Sequence, residues 1–224
     1  MILPYRVQIN ENSVSKNKNN SSCCLQVSIG SPAYEGEKLH SLIQWSLSKY
    51  KDFFLFVNDT LQRHNYLEIE ENLRYTIASS EGDKWVERNK SYLPTNNDSI
   101  RIGIVHWERW LKDLQLQKIL KDVNNLYQTD IHFKKTVEQD IKDYTARKQK
   151  RGIDLKYEKN LYKSCLDYIL EEVAVYEVQQ LRYGSINIHA GSQLNIFKLF
   201  KETNKSDFKL SQREAIYVNL KRRR

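Results

Sequence analysis

Residues 25–45, LQVSIGSPAYEGEKLHSLIQW, hold the transition from which the fold is read. Leu25–Ile29 has the length and character of a short strand. Gly30, Ser31 and Pro32 then give turn chemistry. Across Glu35–Lys49, the apolar residues Leu39, Leu42, Ile43 and Leu47 recur at helical spacing. Downstream, Phe53–Val57 is a continuous apolar run, as a strand buried on both faces requires. Asn58-Asp59-Thr60 ends it with loop and capping residues. Ile102–Trp107 repeats the pattern. The order β-α-β-α-β predicts an α/β fold with a mainly parallel sheet flanked by helices. Ligands in such sheets bind beyond the carboxyl ends of the strands, here Ser28–Ser31, Asn58–Asp59 and His106–Trp107. That places Ser28 and Asn58 beside one crevice.

Further out the pattern is helical. Leu61–Leu93 reads as helix with a break near Gly82, and Pro94–Ser99 as a loop. Glu108–Tyr127, Ile131–Lys150 and Leu155–Tyr183 follow as helices. Ile186–His189 and Ala215–Leu220 are β-like. Upstream, residues 1–22 are polar and rich in Asn, Ser and Lys. They are expected to form a flexible arm, leaving 23–224 as a single domain.

With seven glycines and three prolines in 224 residues, long helices are favoured. No run of about 18 apolar residues is present, so no membrane span is expected. The first residues lack the apolar core and small-residue cleavage site of a signal peptide. Cys23, Cys24 and Cys165 show no metal-ligand spacing, and an odd small number of thiols suits a reducing, cytoplasmic compartment. His40, His64, His106 and His132 form no ligand pattern either, so no metal is expected. There is no Walker loop and no G-x-G-x-x-G after a strand. ATP and NAD are therefore not expected as cofactors.

Lysine plus arginine total 36 against 28 acidic residues, a net charge of +8. The excess suits a polyanionic partner such as RNA, or simply a soluble basic surface. Lys84, Arg88 and Lys90 form one basic cluster. Lys134, Lys135, Lys142, Arg147, Lys148, Lys150 and Arg151 form another. Trp85, Phe133 and Tyr144, interleaved with them, are expected to pack in the core. The terminal basic run at 221–224 reads as a tail or an RNA contact.

Ser28, just past a strand, reads as a turn-capping serine or as a nucleophile projecting into the crevice. It is not in a G-x-S-x-G elbow. Tyr168 and Glu172, four apart, share a helix face, where a phenol and a carboxylate hold an ammonium and move a proton. An ordinary helix surface is the alternative. Glu171, about 100° around the helix, is expected to face solvent. His189, at the end of INIHAG, is a structural or exposed histidine in the plainest reading.

Four blocks together resemble the cyclodipeptide synthase family, in order from about Cys24 to Leu220. They are LQVSIGSPAYEGEKLHSLIQW (25–45), FLFVNDTLQRH (54–64), EGDKWVERN (81–89) and YILEEVAVY (168–176). The resemblance puts Ser28 on the family's nucleophile and Tyr168 with Glu172 on its Tyr-x-x-x-Glu pair. VNDTLQRH and GDKWVERN look more like the branch with a Tyr-Pro signature. This chain departs there: the corresponding region is INIHAGSQ, with His189-Ala190 or Ile188-His189 at the signature. Ser31 falls on the variable signature position, and Gln26 stands where a glycine is common.

The resemblance implies a Rossmann-like domain similar to the catalytic domains of class I tyrosyl- and tryptophanyl-tRNA synthetases. It implies two aminoacyl-tRNAs per turnover and no cofactor, because the substrates arrive as activated esters. Gln26, Gly30, Ser31 and Asn58 are then expected around the substrate, with His189 replacing the signature tyrosine as proton carrier. Lys84, Arg88 and Lys90 are expected on the first tRNA's phosphates. With no long heptad seam, a monomer is expected. The rival readings are a non-catalytic RNA-binding protein with a synthetase-like fold, an esterase using Ser28, and a helical structural protein.

Overall fold

The computed structural model describes residues 3–10, 22–95, 101–150, 158–191, 193–203 and 215–223. Six strands form one sheet: β1 (Tyr5–Ile9), β2 (Ser22–Ser28), β3 (Asp52–Asn58), β4 (Arg101–His106), β5 (Ile186–Ala190) and β6 (Ala215–Arg222). Their order is β1-β6-β5-β2-β3-β4. All neighbours are parallel except β1, which runs antiparallel to β6. The helices are α1 (Gly36–Leu47), α2 (Glu71–Asn89), α3 (Glu108–Leu111), α4 (Leu116–Thr129), α5 (Ile131–Lys150), α6 (Glu158–Tyr183) and α7 (Asn195–Thr203). The expected α/β architecture is the observed one.

Alternation along the strands divides the molecule into two cores. Cys23, Leu25 and Val27 of β2 and Phe53, Leu55 and Val57 of β3 pack with Leu39, Leu42 and Ile43 of α1 and Trp85 of α2. Cys24 and Phe56 point the other way, into a core built around α6. That helix is buried without interruption from Ile169 to Gln179. The chain leaves β2 towards β3 and β4, then returns to β5 on the other side of β2. The order reverses between β2 and β5, and a crevice opens beyond their carboxyl ends.

Several expectations need correction. Tyr5–Ile9, assigned to a flexible arm, is an edge strand paired with Val218–Arg222, and Ser22 already belongs to β2. Residues 11–21 lie outside the described ones. Gly82 does not break a helix but sits inside α2. A Cβ there would lie 2.3 Å from Asp59 Oδ2, so only glycine lets α2 approach the buried Asp59. The helical stretch before Gly82 is interrupted earlier, by a 3-10 turn at Thr60–Asn65 and the residues up to Glu70. Glu108–Tyr127 is two helices, divided where Asp113 Oδ1 accepts the Gln115 N–H at 2.9 Å. Trp85 and Phe133 are buried as expected, and Tyr144 packs half-buried.

Candidate active site

The turn after β2 is built to present Ser28. The Ser31 N–H donates to the Ser28 carbonyl at 3.2 Å, and Gly30 sits between them at φ +83°. A type II turn needs such a residue at its third position, and glycine takes it without strain. Pro32 then starts a short 3-10 turn leading to α1. Ser28, Gly30 and Ser31 line a cavity of about 560 Å³. Across it, α6 contributes Cys165, Tyr168, Ile169 and Glu172. Five of the expected site residues (Ser28, Gly30, Ser31, Tyr168 and Glu172) therefore meet at one opening.

Glu172 is 9% exposed, and its Oε1 accepts the Tyr176 hydroxyl at 2.8 Å. Burial, with the Glu172 carboxylate beside it, holds the Tyr168 phenol well above its ordinary pKa, against a hydrogen bond with Gln62. Tyr168 therefore keeps its proton at neutral pH and acts as a donor. The pair is a buried carboxylate beside a protonated phenol, suited to gripping an ammonium and passing a proton.

Gln26, Asn58 and His189 share the strand face of Ser28 but do not line the cavity. Gln26 is 1% exposed, and its Nε2 donates to Gln179 Oε1 at 2.8 Å and Asn187 Oδ1 at 2.7 Å. Asn58 is buried beside Ser28 in the register, with Oδ1 unpartnered among the described residues. The His189 ring stacks on Tyr217 at 5.0 Å and meets the edge of Tyr176 at 5.8 Å. Tyr176 in turn donates to Glu172, which links the His189 ring to that carboxylate.

Glu171, expected in solvent, is 6% exposed. Arg63 and His64 pair with it, and Trp107 Nε1 donates to it at 2.8 Å. Burial alone would raise its pKa; hydrogen bonds from His64 and Arg63 outweigh burial and bring it down to about 2. The solvent expectation failed because α6 is buried on both these sides.

Lys84, Arg88 and Lys90 lie exposed on and just after α2, each beside a glutamate. Lys84 pairs with Glu81 at 2.7 Å, Arg88 with Glu35 at 2.9 Å, and Lys90 with Glu87 at 3.5 Å. The second basic cluster lies on α5. Arg151 and Arg224, both counted among basic runs, lie outside the described residues.

Sequence reasoning missed the remaining walls. Gln62 and Asn65 come from the 3-10 turn after β3, and Asp140, Tyr144 and Arg147 from α5. The Tyr144 hydroxyl donates to Asn65 Oδ1 at 2.6 Å, Asn65 Nδ2 to Gln62 Oε1 at 2.8 Å, and Gln62 Nε2 to the Asn58 carbonyl at 3.3 Å. Asp140 caps α7, accepting the backbone N–H groups of Asn195 at 2.8 Å and Ile196 at 2.9 Å. The i, i+4, i+7 spacing of 140, 144 and 147 was the available signal. Among the described residues, no group of three His, Cys, Asp or Glu is placed to hold a metal, and no helix is long and apolar enough to cross a membrane.

No protein-family model matches the chain, and no curated protein matches it in sequence. Solved structures do match in fold. A cyclodipeptide synthase from Fluoribacter dumoffii superposes with a TM-score of 0.83 at 21% identity, covering 98% of this chain and 100% of that one. A Mycobacterium tuberculosis protein whose structure relates cyclodipeptide synthetases to type I tRNA synthetases gives 0.70 at 11%, over 99% and 94%. The cyclodipeptide synthase from Candidatus Glomeribacter gigasporarum bound to Phe-tRNAPhe gives 0.62 at 16%, over 96% and 92%. The cavity of Ser28, Tyr168 and Glu172 thus sits in a chain with the fold of these cyclodipeptide synthase structures.

Proposed function

We propose that this chain is a cyclodipeptide synthase, joining the aminoacyl groups of two aminoacyl-tRNAs into a diketopiperazine through an ester on Ser28. The observation that carries the reading is the convergence of Ser28, Tyr168 and Glu172 on one cavity at the sheet's switch point. The fold's likeness to cyclodipeptide synthases, one of them bound to Phe-tRNAPhe, supports it.

Ser28 Oγ attacks the ester carbonyl of the first aminoacyl-tRNA, and the tRNA leaves with its terminal hydroxyl protonated. Backbone N–H groups near Ile29–Gly30 stabilise the oxyanion. Glu172 and Tyr168 hold the bound aminoacyl group by its ammonium. Glu172 takes a proton from it, and the free amine attacks the ester of the second aminoacyl-tRNA. An amide forms, the second tRNA departs, and a dipeptide remains esterified to Ser28. Its terminal amine then attacks that ester, closing the ring and returning the proton to Ser28. His189 acts on this last step through Tyr176, in place of the signature tyrosine. Gln26 and Asn58 support the strands behind Ser28, and Gly30 and Ser31 form the rim around the acyl group. Lys84, Arg88 and Lys90 meet the first tRNA's phosphates. The esters arrive activated, so the reaction needs no ATP and no cofactor. It runs on a monomer, in the cytoplasm where charged tRNA is made.

Mass spectrometry of culture medium from bacteria expressing wild type or Ser28→Ala tests the reading. New masses equal to two amino acids minus two waters, absent with the variant, are expected. A well-expressed wild type giving none would overturn it. The second reading, a non-catalytic tRNA-binding protein, is favoured by His189, whose ring stacks on Tyr217 and does not line the cavity.

A further inference from the structure

The cavity changes character along α5. Asp140, Tyr144 and Arg147 stand at i, i+4 and i+7, on one helix face. Asp140 is buried at the inner end, Tyr144 is half-buried in the middle, and Arg147 is exposed at the outer end. Glu172, on α6, is the other buried carboxylate lining the cavity. The cavity is therefore acidic inside and cationic at its mouth.

Arg147 differs from the cations of α2. Lys84, Arg88 and Lys90 each face a glutamate within 3.5 Å. Among the described residues Arg147 has no acidic partner and makes no hydrogen bond. A guanidinium at the rim of a cavity with no acidic partner among the described residues has its fork available for a bidentate oxyanion.

We infer that Arg147 binds a phosphodiester of the 3′-terminal nucleotides of an aminoacyl-tRNA whose ester lies against Ser28. The identity of that ligand rests on the synthase reading. An aminoacylated RNA end carries an ammonium at its acyl tip and a phosphate on the far side of the terminal nucleoside. The cavity presents the opposite charges in the same order, Glu172 within and Arg147 at the mouth. Tyr144, tied to Asn65, holds this stretch of α5 against the 3-10 turn and fixes where the guanidinium stands.

The test uses the full chain with Arg147→Glu, and Arg147→Gln as a milder second variant. The readouts are affinity for deacylated tRNA across a salt series, the yield of Ser28 ester from bulk aminoacyl-tRNA, KM and kcat for aminoacyl-tRNA, and the melting temperature. An unchanged melting temperature is expected, since the side chain is exposed. Arg147→Glu should weaken tRNA binding about 10-fold and flatten the slope of log affinity against log salt by roughly 0.7–0.9, the loss of one phosphate contact. KM for aminoacyl-tRNA should rise with kcat nearly unchanged. Unaltered affinity and slope would overturn the inference, as would a fall in kcat with KM unmoved, the mark of a residue that only shapes the cavity. If tRNA binding depends on Arg147 but no Ser28 ester forms in the wild type, the synthase reading falls and the phosphate site stands. If the ester forms in the variants with an unchanged KM for aminoacyl-tRNA, the phosphate site falls and the synthase reading stands.

Discussion

The two faces of the sheet are written into alternate residues of the same strands, yet they do different things. Towards α1 and α2 the sheet shows Cys23, Leu25, Val27, Phe53, Leu55 and Val57, all buried and all apolar. Towards α6 the same strands mix the apolar Cys24 and Phe56 with Gln26, Ser28 and Asn58, and β5 adds Asn187 and His189 by register. The first face holds the protein together. The second spends buried positions on polar groups that must find partners, such as the Gln26–Gln179–Asn187 cluster. A one-residue slip of β2 would exchange the two sets, burying Ser28 among leucines. The wholly apolar face defends the register on which the polar face depends.

Three substitutions test that division. The largest effect belongs to the apolar face. Leu55→Ala, at a site with no exposure, should cost about 4 kcal/mol in urea unfolding. Product formed per folded molecule should stay the same, and a loss there would break the separation of roles. Next is Glu171→Gln, on the helix covering the polar face. It strips a buried cluster of its charge and should cost about 3 kcal/mol at pH 7. The folded Glu171 pKa, about 2 against an ordinary 4.5, is depressed. Its stabilisation is complete above pH 4.5 and is lost as the pH falls towards 2. Wild-type and variant stabilities should converge over that window, and parallel curves would show that the Glu171 charge is not what stabilises the cluster. The smallest effect is Gln26→Leu, which leaves the buried acceptors of Gln179 and Asn187 without their donor. A loss of about 2 kcal/mol is expected. A gain in stability would mean that the polar face carries Gln26 for function at the expense of the fold.

The apolar face was the more legible in sequence. Runs such as Phe53–Val57 announce buried parallel strands without help from anything distant. On the polar face the turn at Ser28, Gly30 and Ser31 and the helical spacing of Tyr168 and Glu172 were legible locally, and the family resemblance joined the two. Gln62, Asn65, Tyr144 and Arg147 reach the cavity from two other elements, and no local pattern joins them. Glu171 was misjudged because a helical wheel assumes one wet side, and α6 has none across its middle. Gly82 was misread for a related reason: the demand for glycine comes from Asp59, a neighbour in space. Tyr5–Ile9 carries alternating residues with polar neighbours, and a strand preference of that kind is decided by its partner.

That partner has a consequence for how the molecule is assembled. The β1–β6 pairing joins segments whose hydrogen-bonded asparagines, Asn10 and Asn219, stand 209 positions apart. Loop-closure entropy grows only with the logarithm of length, so such a long closure costs little more than a modest one at equilibrium. Its burden is kinetic. Every other strand pair can form while the free edge of β6 waits, and an unpaired edge is a template for a neighbouring molecule. Tyr5–Ile9 is therefore a clasp as well as a strand: losing it would leave the cavity's residues in place while opening a sticky flank on the far side of the sheet.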